Sequence, residues 1–170
     1  MPEAMALATT GRHGAPAVRY VLLDRCDDRG FVFSCATSSR KAREIAALPR
    51  VAVAFYWYRA GRQVRIEGSV EDVSPAEADR CWRAYSRQAK LATRAAIACG
   101  PIRERADLVR ALAREQRRFA RGPVPRPEGW RSYRIVPRAI ELWQQRPRHL
   151  HHRERFERER RGWRARLLAP

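Results

Sequence analysis

The fold class of this chain follows from residues 51–73, VAVAFYWYRAGRQVRIEGSVEDV. Large apolar residues alternate with small or polar ones in both halves, which predicts strands over Val51–Tyr58 and Val64–Val73. The intervening Arg59–Arg62 contains a glycine suited to a tight turn. Because two strands joined by a short turn pair in opposite directions, the fold must contain an antiparallel sheet.

The same alternation recurs on both sides of this hairpin. Before it, the pattern predicts three strands, at Met5–Thr9, Val18–Leu23 and Phe31–Cys35. Near the carboxyl end it predicts four more, at Trp130–Val136, Ala139–Trp143, Arg153–Arg158 and Gly162–Leu167. A tight turn at residues 160–162 joins the last two.

Helices are predicted between the strands. Ser38 or Ser39 can cap a short helix through Leu48, and Ser74-Pro-Ala-Glu77 is a capping box that opens a helix to about Tyr85. Two further helices are predicted, at Arg87–Ala98 and Ile102–Arg121, before the proline-rich stretch 122–129 ends regular structure.

This order of elements predicts an α+β domain, an antiparallel barrel of Greek-key type with helices at its side. We expect one domain over residues 1–170, with a helical insert at about 75–121 and C-terminal strands over 130–170. A dinucleotide-binding Rossmann fold is not expected, because no glycine-rich turn joins a strand to a helix. The sequence has no internal repeat.

Charge and cysteine content narrow the functional classes. The net charge is +18, from 36 Lys+Arg against 18 Asp+Glu, so the chain should attract anions, whether nucleic acid or a phosphate-bearing cofactor. The four cysteines are dispersed and form no metal-binding pair, so we expect free thiols. Without a long apolar run or a signal peptide, we expect a cytoplasmic protein with no membrane partner.

Two clusters of residues could carry chemistry. Ser38-Ser-Arg40-Lys41 places hydroxyls and cations at a helix start, which suits a phosphate clamp, although a capped surface helix explains the same residues. Arg19 is a further cation in an otherwise apolar strand. His149-Leu-His151-His152 could be a metal site, a solvated loop or an organic-ligand site, and no Cys, Asp or Glu recurs beside it at a spacing typical of metal ligands. No pattern of hydrolase residues stands out.

Eight stretches together resemble the pyridoxamine 5′-phosphate oxidase family over nearly the whole chain. They are Met5–Thr9, Arg19–Leu23, Ser39–Ala42, Pro49–Val51, Arg62–Val64, Glu141–Gln144, Leu150–His151 and Leu168–Pro170. The resemblance implies an FMN-binding split β-barrel that forms a homodimer with FMN in two clefts at the subunit interface. It implies no metal ion and no specific nucleic-acid partner.

The resemblance also assigns residues to FMN. Arg19, Arg40 and Lys41 match the positions that hold the flavin phosphate and ribityl chain. The other matching cofactor positions are Val21, Leu22, Ser34, Cys35, Gln63, Trp143 and Arg153. Cys35 departs from the usual threonine, and Ala98–Cys99 replaces a Gln-Ser pair that contacts the cofactor.

The substrate side departs further from the family. The family grips the vitamin phosphate with a Lys, a Tyr, an Arg and a Ser, and these positions read Asp24, Cys81, Tyr85 and Ala89 here. A shift of a few residues between 80 and 98 would instead place Arg83 or Arg87 beside the phosphate. The family's Arg-Leu-His motif, which faces the substrate ring, reads His149-Leu-His151. Asp24, Tyr85, His149 and His151 are therefore the candidate substrate-binding residues.

A branch of the family that acts on phenazine precursors is similar in these departures, and also in Tyr56-Trp57, Trp82 and Pro125–Gly129. We therefore expect an oxidase that dehydrogenates a reduced, dihydro-aromatic substrate, with dioxygen as the final oxidant. His151 is the first candidate catalytic residue and His149 the second.

Two alternatives remain open, a true pyridoxamine-phosphate oxidase and a non-enzymatic, basic nucleic-acid-binding module. Members of the family also usually carry several dozen residues before the first strand. We expect this lid to be shortened, lost or absent from the sequence.

Overall fold

The computed structural model describes residues 1–170 and contains eight strands and four α-helices. The strands are β1 Ala4–Thr10, β2 Pro16–Asp27, β3 Gly30–Ala36, β4 Arg50–Trp57, β5 Arg62–Asp72, β6 Trp130–Gln144, β7 His152–Glu159 and β8 Gly162–Leu167. The helices are α1 Arg40–Ala47, α2 Pro75–Ala84, α3 Arg87–Cys99 and α4 Arg105–Arg118. Short 3₁₀ turns occupy Tyr58–Ala60 and Pro147–His149.

Six strands close into an antiparallel barrel. Their order is β3-β2-β1-β4-β5-β6, and a further pairing between β3 and β6 joins the two ends. β7 and β8 continue from the second half of β6 as a hairpin beside the barrel. The antiparallel α+β barrel with flanking helices, as predicted from the sequence, is confirmed.

The core fills the barrel and the space under the helices. Inward residues of the strands, such as Met5, Leu7, Phe33 and Ile66, are fully buried. A second cluster lies where α2 and α3 cover the barrel, and its largest members are Trp82 and Trp130, whose ring centroids are 5.1 Å apart. The barrel therefore has a solid interior, and any ligand must bind at its ends or on its outside.

Small residues cover one outward face of the sheet. β1 and β4 present Ala6, Ala8, Ala52 and Ala54 on this face, and the register pairs Ala6 with Ala54 and Ala8 with Ala52. The neighbouring β2 adds three exposed apolar side chains, Val18, Tyr20 and Leu22. The result is a flat apolar surface.

Two predicted boundaries were wrong. The strands expected at Trp130–Val136 and Ala139–Trp143 are one strand, β6, because a β-bulge accommodates Pro137 without ending the ladder. The last helix was expected over Ile102–Arg121, but α4 covers only Arg105–Arg118. Its first turn is fixed at Glu104, which forms a capping box with Asp107. No helix is both long and apolar enough to cross a membrane.

Candidate functional site

The amino end of α1 gathers the first group of candidate residues. Ser39 caps the helix, since its hydroxyl accepts a hydrogen bond from the Ala42 backbone N–H, and Arg40 and Lys41 begin the helix. Arg40 also lines a cavity of about 640 Å³ together with Arg12 and Arg43. Three guanidinium groups around one cavity make a favourable place for a phosphate.

Glu44 positions the cations of this group. Its carboxylate accepts hydrogen bonds from Arg40 Nε at 2.7 Å and from Arg19 at 3.1 Å, and it also accepts one from the Thr9 hydroxyl. These bonds, the one from Thr9 first, lower the pKa of Glu44 to about 2. Glu44 is therefore a buried anion that brings Arg19 on β2 and Arg40 on α1 together.

Glu44 was not among the residues predicted from the sequence. The available signal was its spacing of four residues from Arg40, which allows an ion pair along one helix face.

The other predicted cofactor residues near α1, Cys35, Val21 and Leu22, do not share one face. Cys35 lies at the end of β3, where the Ser39 hydroxyl is 3.7 Å from its sulfur, and burial raises the pKa of the Cys35 thiol. Val21 faces inward on β2, whereas the next residue, Leu22, faces outward and is 45% exposed. The structure therefore places these two predicted cofactor residues on opposite faces of the strand.

A second group lies in one row across three strands. Gln63 on β5 is opposite Trp143 on β6, which is opposite Arg153 on β7. Arg153 is held by two hydrogen bonds to the buried Glu141, of 2.9 and 3.1 Å, and it also donates to the Ala169 carbonyl. Gln63 and Trp143 line a cavity of about 330 Å³.

The histidine segment packs against this row. The ring centroids of His151 and Trp143 are 4.8 Å apart, and those of His149 and His151 are 5.7 Å apart. The Arg146 backbone N–H donates to His151 Nδ1 at 3.2 Å. In the neutral ring the proton is therefore assigned to Nε2, which leaves that atom to contact a ligand. No group of three or more His, Cys, Asp or Glu side chains is arranged to hold a metal ion.

Asp24 anchors a third group, away from the cations. It is the extra residue of a β-bulge in β2, since Leu23 pairs with Phe33 and Arg25 pairs with Val32. A bulge redirects a side chain, and here the carboxylate accepts hydrogen bonds from Ser34 and from the Tyr85 hydroxyl, the latter at 3.1 Å.

Burial is the main cause of the pKa shifts of Asp24 and Tyr85. It raises the pKa of Asp24, and the hydrogen bonds from Ser34 and Tyr85 oppose that shift only in part. Burial also raises the pKa of Tyr85, with the Asp24 charge adding to the shift. Ser34 reaches further, to Ser132 at 2.8 Å. The third group is therefore a network of hydroxyl groups around the Asp24 carboxyl, and no cation forms a hydrogen bond with that carboxyl.

Within one chain the three groups are separate. The first group, at the start of α1 and the adjoining part of β2, contains Arg19, Arg40 and Lys41. The second group, across β5–β7 and the segment before β7, contains Gln63, Trp143, Arg153, His149 and His151. Asp24, Ser34 and Tyr85 lie between β2, β3 and α2. No hydrogen bond or ion pair joins one group to another.

Comparison with known proteins identifies two matching family regions. Residues 1–116 match the family described as pyridoxamine 5′-phosphate oxidase. Residues 130–170 match the pyridoxine 5′-phosphate oxidase C-terminal dimerisation region. Together they cover all three groups of candidate residues.

Similar proteins and structures agree with these matches. A pyridoxine/pyridoxamine 5′-phosphate oxidase of Gluconobacter oxydans is 43% identical over 99% of this chain and 84% of its own length. The corresponding protein of Rubrobacter xylanophilus is 45% identical over 99% of this chain and 78% of its own length. Among solved structures, PhzG from Burkholderia lata in complex with tetrahydrophenazine-1-carboxylic acid superposes with a TM-score of 0.92 at 29% identity. That match covers 99% of this chain and 83% of PhzG.

Proposed function

Since this chain belongs to the pyridoxamine 5′-phosphate oxidase family of flavin-dependent oxidoreductases, we propose that it dehydrogenates a reduced, dihydro-aromatic substrate that carries no phosphate ester. The observation that carries this proposal is the Asp24 network. By the resemblance, position 24 matches the lysine with which the family binds the vitamin phosphate, and this chain has a half-buried carboxyl there instead. A dianionic phosphate would be repelled there by charge and would find no guanidinium or ammonium donor.

The residues present fit FMN as the cofactor. Arg40, Lys41 and the free backbone N–H groups at the start of α1 would hold a terminal phosphate, and Arg40 lines a cavity there with Arg12 and Arg43. Gln63 and Trp143 line a second cavity and would hold the ring system by hydrogen bonding and stacking. When bound, FMN would accept two electrons from the substrate and pass them to dioxygen.

A homodimer would complete this site. The phosphate-binding and ring-binding groups lie apart within one chain, so a cofactor that contacts both would bridge two subunits. The chain carries the family's C-terminal dimerisation region, and the flat apolar face of β1, β2 and β4 offers a surface for the partner.

His151 would orient the substrate and hold a proton. Its ring is fixed against Trp143 and its Nδ1 is occupied by a backbone N–H, so Nε2 is directed by the fold rather than by the ligand. Because Nε2 carries the proton in the neutral ring, it would donate a hydrogen bond to an acceptor of the substrate and so fix the substrate's position for oxidation. His149 stacks edge-on against His151 and would position that ring.

The decisive experiment is a substrate comparison on flavin-loaded protein. We expect oxidation of a tetrahydrophenazine carboxylate, measured by its absorbance change and by oxygen uptake, and no turnover of pyridoxamine 5′-phosphate. His151→Ala should retain flavin and lose most of this turnover, of the order of 10²-fold or more. Turnover of pyridoxamine 5′-phosphate at the higher rate would overturn the substrate proposal.

The second candidate function is that of a pyridoxine/pyridoxamine 5′-phosphate oxidase. Its support is the 41–45% identity to proteins of that name over nearly all of this chain. The variant Asp24→Lys separates the two hypotheses. If the natural substrate has no phosphate, the variant should bind pyridoxal 5′-phosphate more tightly than the wild type does. If the wild type itself binds pyridoxal 5′-phosphate tightly, the second function is correct.

The third hypothesis was a non-enzymatic nucleic-acid-binding module. The chain belongs to a family of oxidoreductases, so this hypothesis is set aside as its function.

A further inference from the structure

A cavity of about 340 Å³ lies on the outer side of the barrel, beyond all three groups of candidate residues. It is formed by β4, β5, β6 and β7, and four of its ten lining residues are arginines: Arg50, Arg138, Arg155 and Arg158. Only Val51 and Ala139 contribute apolar side chains. The cavity is therefore suited to a polar anion rather than to an aromatic ring.

A β-bulge creates this cavity. Glu67 pairs with Ala139 and Gly68 pairs with Pro137, so Arg138 is the extra residue on β6. The two strands approach closely here, because a Cβ at position 68 would lie 2.2 Å from the Val136 carbonyl oxygen. A bulge bends its strand and redirects a side chain, which here brings Arg138 to the cavity wall.

The acidic residues of the cavity are already neutralised. Arg155 donates to both oxygens of Glu67, at 2.9 and 3.1 Å, and to Glu157 at 2.9 Å. Glu157 is also contacted by Arg164 and Arg166. These carboxylates are therefore not available to the other cations of the cavity.

Three arginines remain without a carboxylate partner. Arg50, Arg138 and Arg158 line the cavity and are exposed, and the guanidinium of Arg158 lies 5.6 Å from the centre of the Trp163 ring, which restrains it. Ser69 is opposite Arg50 across β4 and β5 and adds a hydroxyl donor. Several guanidinium groups around one small space are the arrangement that binds phosphate oxygens in pairs.

The cavity is distinct from the proposed flavin site. Ala139 lies four residues before Trp143 on β6, and Glu157 lies four residues after Arg153 on β7. At about 3.3 Å per residue, the cavity is about 13 Å from the row that contains Trp143. Arg50 follows the carboxyl end of α1, whereas Arg40 begins that helix.

We propose that this bulge cavity, defined by Arg50, Ser69, Arg138 and Arg158, is a binding site for a small oxyanion of the phosphate class. The ligand would be held by guanidinium groups from three different strands. It would therefore also brace β4, β6 and β7 against one another.

Calorimetric titration of flavin-saturated protein with inorganic pyrophosphate, at constant ionic strength, tests the site. We expect saturable binding with one site per chain. The triple variant Arg50→Gln/Arg138→Gln/Arg158→Gln should weaken it by about tenfold or more, with unchanged flavin content. The matched control is Arg105→Gln/Arg114→Gln/Arg117→Gln, which removes the same charge from the exposed face of α4 and should change the affinity by less than about twofold.

Three outcomes would overturn the proposal. One is the absence of saturable binding to the wild type. Another is equal weakening in both triple variants, which would mean that only the overall positive charge attracts the anion. The third is tighter binding of citrate than of pyrophosphate in the same titration, which would contradict the assigned chemical class.

Discussion

At the residue scale, Glu44 explains how a protein with such an excess of arginine keeps two of them in a defined geometry. Arg19 and Arg40 come from a strand and a helix, and both point at this one carboxylate. Because the pKa of Glu44 is lowered to about 2, it stays ionised throughout the pH range in which the protein would work. The orientation of the cations is therefore insensitive to pH there.

Arg40→Ala should weaken FMN retention. It removes a charge-assisted contact to the cofactor phosphate, which is worth about 1.5–3 kcal/mol. Flavin fluorescence during dialysis or titration measures the affinity. Arg114→Ala, which removes an equal charge from α4, is the control and should leave the affinity unchanged. Equal flavin affinity in wild type and Arg40→Ala would contradict the phosphate assignment.

Asp24 should make folding less favourable as the pH rises. Its pKa is higher in the folded protein than the ordinary 3.8, because burial disfavours the charge. Above pH 3.8 the unfolded chain has therefore released the proton while the folded protein still holds it. The contribution of Asp24 to the free energy of unfolding therefore falls as the pH rises from 3.8 to the raised pKa.

Urea denaturation between pH 3.5 and 7 tests this prediction. The variant Asp24→Asn has no ionisable group at this position and should not show the decline. The free energy of unfolding of the wild type, relative to this variant, should decline as the pH rises. Asp28→Asn, in the exposed turn after β2, is the control for a general change of charge. A relative stability that rises with pH would show that the hydrogen bonds to Asp24 outweigh its burial.

Glu44 and Asp24 also show which features of the site could be predicted from the sequence. Arg19, Arg40 and Lys41 were identified because they match a family pattern, and the structure brings Arg19 and Arg40 to a common partner. The substitution at position 24 was identified in the same way. Its network with Ser34 and Tyr85 was not, because it depends on a bulge that shifts one residue between strands and leaves no mark in the alternation of β2.

At the element scale, β6 is the central strand of the molecule. It pairs with β3 and β5 through its first part and with β5 and β7 through its second. The sequence predicted most strands within a few residues but divided this one in two. Proline normally ends a ladder, and the glycine on the opposing strand that makes the bulge possible is not adjacent in sequence.

Gly68→Ala should destabilise the protein by about 2–4 kcal/mol, since the added methyl group would meet the Val136 carbonyl and force the backbone to shift. Gly11→Ala is the control, because a Cβ there would have ordinary contacts of 3.5 and 3.6 Å. Thermal or urea denaturation measures both. A Gly68→Ala protein as stable as the wild type would mean that the bulge is not required.

At the scale of the whole molecule, the net charge of +18 predicts an affinity for any polyanion at low salt. We expect binding to random duplex DNA to weaken at least about tenfold between about 50 and 200 mM salt, as counterion release becomes less favourable. Fluorescence polarisation of a labelled duplex measures it, with flavin content monitored in parallel. Binding that persists unchanged at the higher salt would contradict an electrostatic origin of this affinity.

The closure of the barrel by β6 also has a consequence for synthesis on the ribosome. The pairing of Phe31 with Ile135 joins positions roughly a hundred residues apart, so it forms only when translation is nearly finished. Until then β3 and β5 have free edges, to which other nascent chains could add. An mRNA truncated before the codon for Trp130 would therefore yield an aggregation-prone fragment, whereas the completed polypeptide seals both edges with a single strand.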